Sequence, residues 1–261
     1  MEESPRAVAM NAEIRSIYRY PVKGLTPQRL TEARLAVGRT LEADRKYAIE
    51  NGPTGFDPAA PAYLPKTRFL MLMKNARLAE LRSHYDDASR VLTLHRNGEE
   101  VARGDLSTAQ GRRTIEAFFD TFCAEDLQGP ARVLEAPGHS FSDMAAKVVS
   151  IINLASVAAL EKAIGAKVDP LRFRGNVMVA GWPAWHELEL VGKEVALGPD
   201  ARLKIVKRIV RCPATNVDPH TGARDMEVPQ TIKRLLGHME CGIYGEVIAP
   251  GRIAPEDAVS V

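Results

Sequence analysis

The chain has 261 residues, 45% of them hydrophobic, with 35 basic and 33 acidic side chains for a formal net charge of +2. That length supports one large β-rich domain or two closely packed ones, and the near balance of charge excludes a global field of the kind that draws a protein to nucleic acid or an anionic membrane. Three cysteines, Cys123, Cys212 and Cys241, are too few and too dispersed for a disulfide framework and leave at least one thiol free, which fits a reducing cytosol.

Residues 1–12 contain Glu2, Glu3 and Pro5 and lack an apolar stretch behind a basic start, so they read as a disordered tail and not as a secretion signal. Strand-like runs with β-branched or aromatic residues follow at 13–22, 30–37, 45–50, 78–85 and 90–96, each ending at turn formers. Asn97-Gly98 tolerates positive φ at both positions and predicts a tight hairpin between 91–94 and 99–101. The first 105 residues therefore read as a meander or small barrel. Between them, 51–66 holds Pro53, Pro58, Pro61 and Pro65 and predicts a long surface loop.

A helix is predicted over 108–122, where Ile115, Phe118, Phe119 and Phe122 share one face. A second, 155–164, follows a strand at 147–152 with Asn153 at the junction, and stops at Gly165. Strands are predicted at 177–179, 188–191, 195–197, 203–210 and 243–248, with a short helix at 229–236 that starts on Pro229 and ends at Gly237. The longest apolar run, 148–160, is interrupted by Ser150, Asn153 and Ser156 and is short of a membrane span. The fold class is thus mainly β (α+β) with few helices, expected in the cytoplasm without membrane or nucleic-acid partners.

Several signatures are absent: no GxxxxGK[ST] phosphate loop, no GxGxxG, no HExxH and no CxxC. His186-Glu187-Leu188-Glu189-Leu190 opens like a zinc-protease motif but lacks the second histidine and alternates like a strand. Cys212 is different. It follows an apolar strand, has Lys207, Arg208 and Arg211 just upstream, and precedes the turn-rich run Asp218-Pro219-His220-Thr221-Gly222. Positive charge favours a thiolate, the form that acts as nucleophile or soft-metal ligand. Cys123 sits beside a phenylalanine helix face and reads as core, as does Cys241. Basic residues recur at Lys23, Arg45, Lys66, Arg68, Arg172 and Arg174, with Asn176 close by, and together suit an anion: arginine offers a planar donor fork for phosphate, asparagine an amide for a heterocycle edge.

Tyr20-Pro21-Val22-Lys23-Gly24, Asp44-Arg45, Phe141-Ser142-Asp143, Phe173-Arg174-Gly175-Asn176 and Arg211-Cys212 through Val217-Asp218-Pro219-His220-Thr221-Gly222 stand in the order found in MOSC-domain proteins. The chain resembles that family from about residue 13 onward, and most resembles the branch of the mitochondrial amidoxime-reducing component and its bacterial relatives. The resemblance implies an N-terminal β-barrel-like region at 13–125 packed on a β-barrel MOSC core at 126–261. It implies a molybdenum cofactor, molybdopterin with its metal, between the two. Cys212 would be the protein ligand of the metal, and Lys23, Arg45, Arg68, Asn153, Arg172, Arg174, Asn176 and Arg211 would hold the pterin and phosphate. The chain departs from the family pattern in several places: Asn153 replaces a serine, Gly175 a proline and Val210 a small polar residue, Thr67 and Arg68 match only loosely, and Glu256-Asp257 stands for a Gly-Asp pair.

The activity implied is reduction of N-hydroxylated or other N- or S-oxygenated small molecules, with Cys212 at the centre and Asp218 and Asp225, beside His220, as candidate proton carriers. Three cysteines cannot supply an iron–sulfur domain, so electrons are expected from a separate iron–sulfur, flavin or haem carrier protein. The alternatives are a sulfur carrier with a persulfide on Cys212, loaded by a cysteine desulfurase, and a cofactor store or insertion module.

Overall fold

The computed structural model describes residues 12–261. The tail expected over 1–12 lies outside the described residues, apart from Ala12, which already begins a strand. In chain order come β1 (Ala12–Arg19), β2 (Gln28–Leu30), β3 (Ala33–Leu35), β4 (Ala48–Asn51), β5 (Leu81–Tyr85), β6 (Val91–Arg96) and β7 (Glu99–Asp105). Then follow α1 (Ala109–Phe122), β8 (Ala131–Leu134), β9 (Val149–Asn153), α2 (Leu154–Ile164), β10 (Val177–Ala180), β11 (Glu194–Leu197) and β12 (Ala201–Val210). The chain closes with α3 (Val228–Leu236), β13 (Glu240–Ala249), β14 (Gly251–Ile253) and β15 (Ala258–Ser260).

A closed seven-strand barrel dominates, in the order β10-β9-β13-β12-β11-β15-β1, shut by pairing of β1 with β10 and extended by β2 on the outer side of β1. Closure removes the exposed sheet edge that would otherwise invite aggregation. Only β9 and β10 pair in parallel, which requires the crossover that α2 supplies. A bulge in β1 between Ile14 and Ser16 lets both Ser16 and Ile17 face inward, bending the strand into the ring. Its core joins Ile14, Ile17, Leu35 and Leu41 to Val149, Leu203, Ile243 and Val259, so strands from both ends of the chain make one interior.

The hairpin predicted at Asn97-Gly98 is present with φ of 54° and 86°, and β5-β6-β7 form a meander. The Phe119 face of α1 packs on it with Leu81, Leu92 and Leu94. The helix lies so close that a Cβ on Gly111 would sit 2.1 Å from Asp105 O. Thr108 caps α1 by accepting from Gly111 N, and Gly165 ends α2 in the left-handed region. The proline-rich segment between β4 and the 3-10 turn Lys66–Arg68 carries no regular structure and is largely exposed.

Three predictions need correction. The run at 30–37 is broken into β2 and β3, and the run at 78–85 starts as the 3-10 helix Ala76–Glu80. The strand predicted at 188–191 is a 3-10 helix, His186–Glu189, entered through Trp185 at a φ of 68°. That turn aims Glu187 inward, where it is wholly buried. Glu187 Oε2 accepts from Asn153 Nδ2 at 2.9 Å and Ser156 Oγ at 2.8 Å, while Oε1 accepts weakly from Gly242 N at 3.4 Å.

Burial pushes the Glu187 carboxyl up from its ordinary value, against the pull of those donors. Raising an acid's pKa on folding gives stability that is present below the unfolded value and lost as pH rises through the folded one. Glu187→Gln keeps one carbonyl oxygen for the two short bonds and removes the charge. Its stability relative to wild type should therefore improve between pH 4 and pH 7, whereas Glu187→Ala should lose about 2–4 kcal/mol by stranding two buried donors. Urea titrations at both pH values check this; equal pH dependence in wild type and Glu187→Gln would refute it.

Candidate functional site

β12 carries the chain to the site. Where it stops, Arg211 N bonds Met239 O at 2.7 Å, and Arg211 turns its guanidinium inward, with Nε on Cys241 O at 2.7 Å and Nη1 on Phe173 O at 2.8 Å. Cys212 is next, half-buried, at the head of the 3-10 turn Pro213–Asn216. Pro213 suits that first turn because its missing N–H is not needed there.

The segment before β10 brings the second group. The 3-10 helix Pro170–Phe173, capped by Asp169, ends at Arg174 in the left-handed region with φ of 50°. Arg45 also has φ of 50°. Left-handed backbone at a non-glycine costs of order 1–3 kcal/mol and concentrates where function fixes it. Both arginines lie against the Tyr20 ring: the guanidinium carbon is 4.2 Å from its centroid for Arg45 and 4.3 Å for Arg174. Arg45 Nη1 donates to both carboxylate oxygens of Asp44, which also accepts from Tyr20 N, and Arg174 Nη1 bonds Leu25 O at 2.8 Å. Burial is the main influence on both partners, raising the Tyr20 hydroxyl to about 12 and lowering Arg174 to about 10.

Lys23, from the turn after β1, reaches Phe141 O at 2.8 Å and Asp143. Burial presses its ammonium down while Asp143 resists. Asp143 is also met by Lys66 Nζ at 3.4 Å, and Lys66 Nζ lies 3.3 Å from Cys212 Sγ. Burial alone would raise the Asp143 carboxyl, but Lys23 and then Lys66 outweigh it and hold it at about 2. At neutral pH this group is a carboxylate, not a proton donor.

These groups line one cavity of about 270 Å³ between the barrel and the first half of the chain, its cations opposed only by Asp44 and Asp143. Lys23, Arg45, Arg172, Arg174, Asn176, Arg211 and Cys212 all belong to it. Asn176 is tied up within the protein: Oδ1 accepts from Ser150 N and Oγ, and Nδ2 donates to Tyr18 O.

The remaining predicted residues stand elsewhere. Arg68 is exposed and does not line the cavity; Lys66, two residues earlier, takes the place expected for it because the turn at 66–68 points successive side chains apart. Asn153 is buried as the cap of α2 and as a donor to Glu187 and Pro183 O, so it has no free amide for a ligand. Asp218 and Asp225 also lie outside the lining. Both bind Arg172, at 3.3 and 2.8 Å, and Asp218 additionally caps the turn through His220 N and Thr221 N. Burial opposes its charge, yet those backbone donors lower its carboxyl, which suits an anchor for Arg172 better than a proton carrier.

Sequence reasoning missed Tyr20, Asp44 and Asp143 as site residues. Their neighbours in the motifs, Lys23, Arg45 and Ser142, were the available signal. Cys123 and Cys241 are wholly buried, and burial raises both thiols to about 12, leaving Cys212 as the accessible one.

Three guanidinium nitrogens among the lining side chains, Arg172 Nε, Arg174 Nη2 and Arg211 Nη2, are buried and lack a hydrogen-bond partner. Buried donors are rarely left unmatched, since each costs about 1–3 kcal/mol. Among the described residues no group of three or more His, Cys, Asp and Glu converges as a metal site, and no helix is long and apolar enough to cross a membrane.

Fold and site together define a β-barrel protein with a cation-lined, thiol-bearing cavity. Residues 136–260 match the MOSC domain and residues 11–131 the MOSC N-terminal beta barrel domain, so the chain belongs to the MOSC-domain family. Members of that family are generally molybdenum-cofactor-binding proteins of sulfurase or reductase type. No curated protein matches the chain. Among solved structures it is similar to the YuaD protein from Bacillus subtilis, 13% identical over 96% of this chain and 94% of that one, with a TM-score of 0.45. It is also similar to YiiM from Geobacillus stearothermophilus, 17% identical over 42% of this chain and 52% of that one, with a TM-score of 0.34.

Proposed function

We propose that this protein holds a molybdenum cofactor in the cavity and reduces N-hydroxylated or other N- or S-oxygenated small molecules, with electrons from a separate donor protein. One observation carries the reading: Arg172, Arg174 and Arg211, each with a buried guanidinium nitrogen that lacks a partner, line the same cavity as the accessible thiol of Cys212. The donor set fits the group. Guanidinium forks suit a phosphate, and a thiolate suits a soft metal. Because no protein-only metal cluster is present among the described residues, a metal at Cys212 needs most of its ligands from elsewhere, as a dithiolene-bearing pterin provides.

When bound, the cofactor supplies a metal able to exchange two electrons. The chain supplies the rest. Arg174 and Arg211 line the cavity, each with a buried guanidinium nitrogen still unpartnered, and Asp218 and Asp225 fix Arg172. Tyr20 lies within cation–π distance of both Arg45 and Arg174, which helps two cations stay close in a buried wall. Asp143 holds Lys23 and Lys66 and keeps the wall from excess positive charge.

Protein made in a cofactor-competent host should carry molybdenum and releasable pterin at close to one per chain, measured by metal mass spectrometry and pterin fluorescence. Arg174→Met should reduce both at least about tenfold through loss of a buried charged donor. Metal and pterin at background in wild type would refute cofactor binding.

A further inference from the structure

The cations deepest in the cavity are fixed by the fold. Arg211 bonds two carbonyls at 2.7 and 2.8 Å, Arg45 holds Asp44 through Nη1 and Arg174 O through Nη2, and Lys23 is 6% exposed. Lys66 is held differently. It comes from the end of the proline-rich loop, its side chain is 29% exposed, its contact to Asp143 Oδ2 is long at 3.4 Å, and its other partner is Cys212 Sγ at 3.3 Å. Asp143 is already engaged by Lys23, so the charge of Lys66 is only partly matched.

An ammonium in that state can turn to an incoming carboxylate by giving up only its long contact to Asp143. It also lines the cavity and stands 3.3 Å from Cys212 Sγ, so a molecule that reaches the thiol comes within range of its charge. We propose that Lys66 is a specificity-determining residue that selects carboxylate-bearing substrates, an inference that rests on the reductase reading above. The substrate class is then N- or S-oxygenated small acids, in preference to their neutral counterparts. A lysine suits this role because a point charge on a flexible stem accepts carboxylates in varied poses, where an arginine fork would demand one geometry.

The test compares KM for 4-carboxybenzamidoxime and benzamidoxime on cofactor-loaded wild type, Lys66→Gln and Lys66→Arg with a chemical electron donor. Alongside it, calorimetry gives Kd for benzoate and benzamide in phosphate buffer, where phosphate occupies the guanidinium cluster. Wild type should favour the carboxylated compound, and Lys66→Gln should shrink that preference about tenfold while Lys66→Arg keeps most of it. An undiminished preference in Lys66→Gln overturns the inference. Should wild type turn over neither compound, the reductase reading fails separately and binding decides for Lys66. Benzoate then weakened about tenfold relative to benzamide in Lys66→Gln upholds charge selection, and an unchanged ratio overturns it.

Discussion

Replacing Cys212 by serine should lower benzamidoxime reduction by at least about a hundredfold while leaving the protein folded. Loss of groups that merely orient a metal's ligands costs 10–100-fold, and the ligand itself should count for more. Serine keeps the size but offers a hard oxygen in place of a soft sulfur. The fold has little stake in the thiol. Cys212 is half-buried, and its hydrogen-bond partner is Lys66 at 3.3 Å, so the stability change should stay within about 1 kcal/mol. Cys241→Ser provides the opposite pattern, because it places a hydroxyl in a wholly buried site and should cost stability while sparing chemistry. The assay is anaerobic turnover with a chemical donor, beside a urea titration. Activity that survives in Cys212→Ser removes the residue from the mechanism; a cyanide-labile sulfur on wild-type Cys212 without any turnover would favour a sulfur carrier.

Arg211→Met should cost about 3–5 kcal/mol of stability, the sum of two buried hydrogen bonds from a charged donor. Its Nε and Nη1 satisfy Cys241 O and Phe173 O, carbonyls on two different elements that methionine leaves unmatched. The guanidinium also lies flat against β13, where a Cβ on Gly242 would come 2.8 Å from Nη2 and the backbone φ is 78°. Glycine there is thus demanded twice, by conformation and by the arginine's approach. Arg211→Lys, with one point charge, should recover only part of the loss. Denaturant midpoints at unchanged slope measure it. A loss below about 1 kcal/mol would show that the two carbonyls find other donors.

Much of this architecture is visible in local pattern. The Phe119 face of α1, the Asn97-Gly98 turn and the proline-rich loop each follow from chemistry within a few residues. The short strands β8, β14 and β15 escape such reading, since three or four residues carry too little periodicity and are held by partners far away in sequence. The same holds for the site. Lys23, Arg45, Arg174, Asn176 and Cys212 are legible because motif order preserves them, whereas Lys66 and Asp143, though visible as a basic residue and a motif member, show their pairing with each other only where two loops meet. Arg68 and Asn153 mislead for a related reason: residue type suggests a ligand, but the turn direction of one and the helix-capping duty of the other are properties of three-dimensional placement.

The seam that joins Ala12 to Val259 sets a timetable for the molecule. During synthesis β1 emerges first, with Ile14 and Ile17 bare, and must wait for β15 before the ring between β11 and β1 can shut. Long-range closure of this kind is slow and exposes sticky intermediates. Lys23 and Arg45 likewise leave the ribosome long before Arg211 and Cys212. A nascent chain therefore owns only half of the cavity's cations, and the closed cavity belongs to the finished protein.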